Sequence, residues 1–302
     1  MTADVSPEQG LLFDLSSRTK LRMSGVDRVR FLNGQISNDV RKARPDIAIH
    51  ACVLNAKGKI NADVMIVADG ESFLIDADPA LREELATRLD RYIIADDVEI
   101  EDVSDSFALF HVSGASAPAF AGANVTAKAE RFGTSGTDLW LGREQHALAL
   151  QELSMSLPTC DGDCAEVLRI ERGIPRWGHE LTDEIIPTEA NLEARAIDYA
   201  KGCYIGQEVI SRIKMSGQTN KRLCGLLPVD GAAPTAGMRL MSAAKDVGWI
   251  TSVAHSNRLG RTIALGYVKR GFHEPGTQLE LQMADGTATP VMHVEVVTLP
   301  FV

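Results

Sequence analysis

The 302-residue chain is 45% hydrophobic and carries a formal net charge of -10, enough apolar sequence for a sizeable core spread over two or three compact units. Its acidic balance repels phosphate backbones at long range and argues against a general DNA or RNA binder. Met1–Gly10 holds Asp4 and Glu8 but no basic head or apolar stretch, and runs such as Val64–Ala68 are too short to span a bilayer. Neither export nor membrane insertion is expected. The five cysteines are odd in number and scattered, so they read as individual thiols in a reducing, cytoplasmic compartment. Cys160 and Cys164 have no second pair at zinc-ligand spacing, and no metal site is expected.

Leu21 and Met23 alternate as a strand does, and Val29, Leu32 and Ile36 recur at helical spacing behind Ser24 and Asp27, either of which can cap a helix. Ile47–Leu54 and Ile60–Ala68 are apolar runs joined by Asn55-Ala-Lys-Gly58, the length and chemistry of a hairpin loop. Phe73–Ala77 adds a strand, Pro79 opens a helix with Leu81, Leu85 and Leu89 on one face, and Val98–Val103 returns to strand. This order predicts an α+β sheet with helices on one face, and no Gly-x-Gly-x-x-Gly turn suggests a nucleotide fold. Phe107–Val112 and Leu139–Leu141 are strand-like around a stretch rich in Ala, Gly, Ser and Thr, read as a looser second lobe of about 104–160. The chain then returns to the first lobe over about 163–217, so that 1–217 forms one α+β region.

From 218 to 302 the texture changes to short apolar runs: Leu223–Leu227, Met238–Met241, Val247–Val253, Thr262–Val268, Gln278–Met283 and Val291–Val297. Pro234, Gly260, Pro275-Gly276 and Asp285-Gly286 punctuate them, as the tight reversals of a small antiparallel β-barrel require.

Lys201-Gly-Cys-Tyr-Ile-Gly-Gln-Glu208 sets two glycines and a thiol just ahead of a predicted helix, Gln207–Ile213. A helix amino terminus and Lys201 would both favour a thiolate at Cys203, and the glycines admit close approach of backbone or ligand. The competing reading of Cys203 is a small buried hydrophobe at a tight turn. Lys201 to Arg222 also carries five basic residues against one acidic, suited to an anionic ligand or to a solvated basic face.

The octapeptide resembles the signature of the YgfZ family, Lys-Gly-Cys-(Tyr or Phe)-x-Gly-Gln-Glu, and matches it at every fixed position. The resemblance continues through Asp27–Gln35, Asn38-Asp39, Leu54–Ile60, Ile186–Leu192, Gly248–Ser252 and Ala264–Val268. It implies a T-protein-like (aminomethyltransferase) folate-binding fold, a ring of three domains with a C-terminal antiparallel β-barrel, and tetrahydrofolate or a folate derivative in a central channel. Cys203, with Lys201, is then the reactive centre. Arg169–Glu180 is similar to the Arg-x-Glu-x-Gly segment of T-protein relatives, which places Glu171 where a carboxylate grips the pterin by paired hydrogen bonds. Trp177 is a candidate for ring stacking, Arg169 and Arg195 for the folate carboxylates, and Tyr204 for a further folate contact. Surface pairing or core cover is the competing explanation for Glu171, Trp177 and both arginines.

T-protein relatives carry Gly-Gly-x-x-Asp-Asp where this chain has Gly58-Lys-Ile-Asn-Ala-Asp63, and the resemblance assigns the catalytic role to the first aspartate. Ala62 stands there and Asp63 faces the other side of the strand, so aminomethyl transfer is not expected. The family likeness implies instead a folate-binding accessory protein that supports iron–sulfur enzymes, including tRNA-modifying ones, with those enzymes or cluster-assembly proteins as partners. The alternatives are a folate-dependent aminomethyl- or methyltransferase and a non-catalytic folate-sensing adaptor.

Overall fold

The computed structural model describes residues 10–114, 120–160, 162–229, 231, 233–283 and 292–302. The Asp285-Gly286 turn, Val291 and the first nine residues therefore lie outside the described residues. The chain forms two compact units, Met1–Asp161 with Glu193–Ser211, and Gly162–Leu192 with Arg212–Val302.

The first unit runs β1 (Leu11–Asp14), β2 (Thr19–Ser24), α1 (Arg28–Gln35), β3 (Ile49–Leu54), β4 (Ile60–Asp69), β5 (Ser72–Ala77), α2 (Arg82–Asp90), β6 (Glu99–Asp102), β7 (Phe107–Ser113), β8 (Val125–Glu130), β9 (Ser135–Gly142) and α3 (His146–Ser154). After α4 (Gly162–Glu171), which belongs to the second unit, α5 (Glu193–Ala196) and the start of α6 (Gln207–Ser216) complete it. Five strands pair antiparallel in the order β3-β4-β5-β2-β6, and four more in the order β1-β7-β9-β8. The hairpin expected at Asn55–Gly58 joins β3 to β4, with Cys52 opposite Asp63 and Val53 opposite Ala62. Asp27 sits at the start of α1 but does not cap it, because its carboxylate accepts from the backbone N–H of Asp97 instead.

The lobe read as loose is an ordered sheet. In β8 the small residues Val125, Ala127 and Ala129 point inward and Thr126, Lys128 and Glu130 outward, a period of two that alanine and threonine mute in a hydropathy reading. The buried Arg131 guanidinium bonds both Asp76 on β5 and Asp138 on β9, tying one sheet to the other.

In the second unit, β10 (Lys221–Val229), β11 (Arg239–Ser242), β12 (Lys245–Ser256), β13 (Arg261–Lys269), β14 (Gln278–Gln282) and β15 (Met292–Val297) close into a barrel in the order β10-β13-β12-β11-β14-β15. Leu226, Leu240, Val247, Ile250, Ala264, Val268, Val294 and Val296 fill its interior. The segment 162–192, expected to return to the first lobe, groups with the barrel. Glu171 meets Ser256, Arg169 meets Ser252, and the Tyr267 hydroxyl donates to the Glu180 carbonyl at 2.9 Å, all to residues of the barrel strands.

Cys52, Cys203 and Cys224 are free thiols, whereas Cys160 and Cys164 are disulfide-bonded. This corrects the reading of five independent thiols, since a spacing unsuited to zinc still leaves a sulfur able to bridge. The compartment argument drawn from the cysteines loses that support. No helix among the described residues is long and apolar enough to cross a membrane.

Candidate functional site

Cys203 is exposed, not the buried hydrophobe of the competing reading. Its loop is held by two devices. Gly206, at φ +85°, passes so close to the β3–β4 loop that a Cβ there would lie 2.6 Å from the Asn55 carbonyl oxygen, and a Cβ on Gly58 would lie 2.9 Å from Val209 Cβ. Only glycine meets both demands at these positions. The second device is Lys201, whose ammonium donates to the carbonyls of Asn33, Ile36 and Asn38 at 2.7, 2.6 and 2.8 Å.

The role given to Lys201 therefore changes. Its three N–H donors are committed to carbonyls at the end of α1, which leaves none for the sulfur, and burial pushes its pKa down to about 8. It positions the loop. Tyr204 is likewise buried, its ring 4.9 Å from the Lys201 ammonium, and packs the loop instead of presenting a face to folate. The helix that follows begins at Gln207, so Tyr204–Gly206 separate the thiol from its first turn.

The face of β3 and β4 opposite to Ala62 carries a second cluster, in the same unit. Ile60, Ala62, Val64 and Ile66 point into the core, and Ala62 has 0% exposure. Asn61 and Asp63 point the other way and are half-buried. Position 62 could not bring a carboxylate to a ligand, because it is enclosed by hydrocarbon. The acid of this segment that is not sealed is Asp63. Its Oδ1 contacts Nε2 of His50, the diagonal neighbour on β3. Burial pushes the Asp63 carboxyl up, but His50 outweighs it, aided by Arg18 and Arg195, and holds it below the usual carboxylate range. Two nitrogens nearby are buried without a hydrogen-bond partner, Nδ1 of His50 and Nε of Arg195. Cys52 lies on this face too, but it is sealed and burial raises its pKa, so it is inert.

In the second unit, Arg169 does not offer itself to a folate carboxylate. Its guanidinium donates to Glu166, Glu180, Ser252 and the Ile174 carbonyl, which uses all five N–H groups. Glu171 is 6% exposed, with Oε1 held by the Ser256 hydroxyl, while Oε2 takes no donor among the described residues. Trp177 is half-buried in the turn before Glu180.

Residues 5–135 match the GCVT N-terminal domain and residues 221–302 the glycine cleavage T-protein C-terminal barrel domain. An aminomethyltransferase of Saccharopolyspora erythraea is 30% identical over 96% of this chain and 86% of its own length. The chain belongs to the glycine cleavage T-protein family. A further T-protein relative, an aminomethyltransferase of Streptomyces coelicolor, is 26% identical over 96% of this chain and 86% of its own. The glycine cleavage system aminomethyltransferase T of Bartonella henselae has the same fold, with a TM-score of 0.83 over 97% of this chain and 86% of that one at 18% identity. The T-protein-like fold expected from the sequence is present, with its closed six-stranded barrel.

His50 is the member of this cluster that the sequence reading did not name, whereas Asp63 was named there and set aside as facing away from position 62. The available signal is the register of β4: Ile60, Ala62, Val64 and Ile66 share one face, which puts 62 and 63 on opposite sides.

Proposed function

We propose that this T-protein family member carries out tetrahydrofolate-dependent one-carbon chemistry of the aminomethyl-transfer kind, with Asp63 as the charged group at the reacting centre. The family uses tetrahydrofolate. The buried polar atoms without a partner among the described residues of the first unit suit such a ligand: Nδ1 of His50 and Nε of Arg195. When bound, tetrahydrofolate supplies the nitrogens that carry the one-carbon unit. Asp63, ionised and half-buried on the strand face opposite to Ala62, can take a proton from a reacting amine or stabilise positive charge developing on it. The single observation carrying this reading is that half-buried carboxylate beside two unpartnered buried nitrogens. The aminomethyltransferase names of relatives spanning 96% of the chain support it.

A second reading is favoured by the exposed thiol of Cys203 on its pinned loop. It keeps tetrahydrofolate and gives the protein a cytoplasmic accessory role, supporting iron–sulfur enzymes, including tRNA-modifying ones, through that thiol. Two variants separate the readings. Aminomethyl transfer requires Asp63→Asn to lose about 10²- to 10⁴-fold in tetrahydrofolate-dependent transfer, with Cys203→Ser close to wild type. The accessory role requires Cys203→Ser to bind tetrahydrofolate normally yet fail to restore iron–sulfur enzyme activity in cells lacking the protein. Full transfer activity of Asp63→Asn together with full rescue by Cys203→Ser would sink the two readings and leave a folate-sensing adaptor.

A further inference from the structure

We infer that His50 is a positioning residue for Asp63: it fixes the carboxylate's orientation and has a second ring nitrogen that gains a partner from bound ligand. The inference rests on the reading of the Asp63 face as the reacting centre. His50 lies two residues from Cys52 on β3, and Cys52 stands opposite Asp63, so the imidazole reaches the carboxylate diagonally across one face of the hairpin. An ionised carboxylate only accepts hydrogen bonds, so Nε2 carries the proton and donates to Oδ1. In the neutral ring this leaves Nδ1 as a lone-pair acceptor, and in the imidazolium it is a second donor. Either way Nδ1 is buried and unpartnered, a cost that a protein normally avoids.

The other groups facing Asp63 do not replace this contact. Arg18, from the turn between β1 and β2, is committed to Asp76. Arg195, on α5, acts on Asp63 through its charge and makes no hydrogen bond to it. Cys52 is a sealed neutral thiol. Among the described residues His50 alone binds the carboxylate, and so it sets which oxygen is presented and which is held.

The test uses the full chain with ¹³C-labelled aspartate and ¹⁵N-labelled histidine, followed by NMR across pH for wild type, His50→Gln and His50→Ala. Glutamine keeps an N–H donor at nearly the same reach and alanine removes it, so Asp63 should titrate at higher pH in the alanine variant and close to wild type in the glutamine one. Saturation with tetrahydrofolate should move the Nδ1 resonance of His50. In the transfer assay His50→Ala should lose up to about 100-fold in kcat while KM changes by no more than about threefold, with recovery in His50→Gln. An Asp63 titration identical in all three proteins, or an Nδ1 signal unmoved by tetrahydrofolate, would overturn the inference. Full activity of Asp63→Asn would instead remove the functional reading, leaving the NMR titration to decide the His50 contact by itself.

Discussion

Two clusters of charged and polar side chains end in opposite states. Around Arg169, every guanidinium N–H is bonded, and Glu180, at 0% exposure, is met by Arg169, Ser252 and the Arg176 backbone N–H. Around Asp63, the carboxylate is bonded by His50 while two nitrogens beside it have no partner. A fully satisfied network has nothing left to offer a ligand, and its work is to hold α4 and the turn after it on β12. An incompletely satisfied one tolerates a cost that bound ligand can relieve. The difference separates the two: Arg169 is spent within the protein, and the proposed function gives Asp63 the chemistry.

The largest effect should come from restoring an aspartate at the core-facing position. Ala62→Asp would force a carboxyl group among Ile60, Val64 and their neighbours, and should cost about 4 kcal/mol or more without raising transfer activity; urea unfolding and the transfer assay together check it. A stable Ala62→Asp protein with enhanced transfer would mean that the two strand faces have been assigned the wrong way round. Next, Arg169→Met should destabilise by roughly 3–5 kcal/mol, because Glu180 is left charged and buried without its partner. Its effect on tetrahydrofolate affinity, measured on the folded fraction by calorimetry, should be small. A folate-specific loss in a fully stable Arg169→Met protein would return that arginine to the binding residues. The smallest of the three is Lys201→Met, which leaves three carbonyls at the end of α1 without their donor and should cost about 2–3 kcal/mol. Hydrogen exchange should rise in the 201–206 loop, and Cys203 should react with iodoacetamide at an altered rate; unchanged exchange would show that Lys201 does not pin the loop.

Much of the fold was legible because its signals are local. The six barrel strands announce themselves as short apolar runs between turn residues, and the Asn55–Gly58 hairpin by its loop chemistry. What escaped is governed by packing at a distance. β8 carries its inward face on Val125, Ala127 and Ala129, which bury too little hydrocarbon to stand out. The allegiance of 162–192 depends on pairs such as Glu171 with Ser256, 85 residues apart, that no periodicity reveals. The site divides in the same way. Cys203 was legible as a motif, but the sequence left open whether its thiol is exposed or buried, and the fold exposes it. Lys201 carries the same motif, but three carbonyls from the far end of α1 claim its charge, and only the folded chain brings them together. Asp63 was set aside because it faces away from position 62, and only the packed sheet shows that position 62 is the enclosed one of the two.

The most direct test of the Asp63 face is a crystal structure of the protein with tetrahydrofolate bound. The nitrogens that carry the one-carbon unit should lie within hydrogen-bond reach of the Asp63 carboxylate, about 2.6–3.2 Å or through a single water, with a polar ligand atom on Nδ1 of His50. Folate bound elsewhere, with Asp63 facing bulk water, would contradict the account.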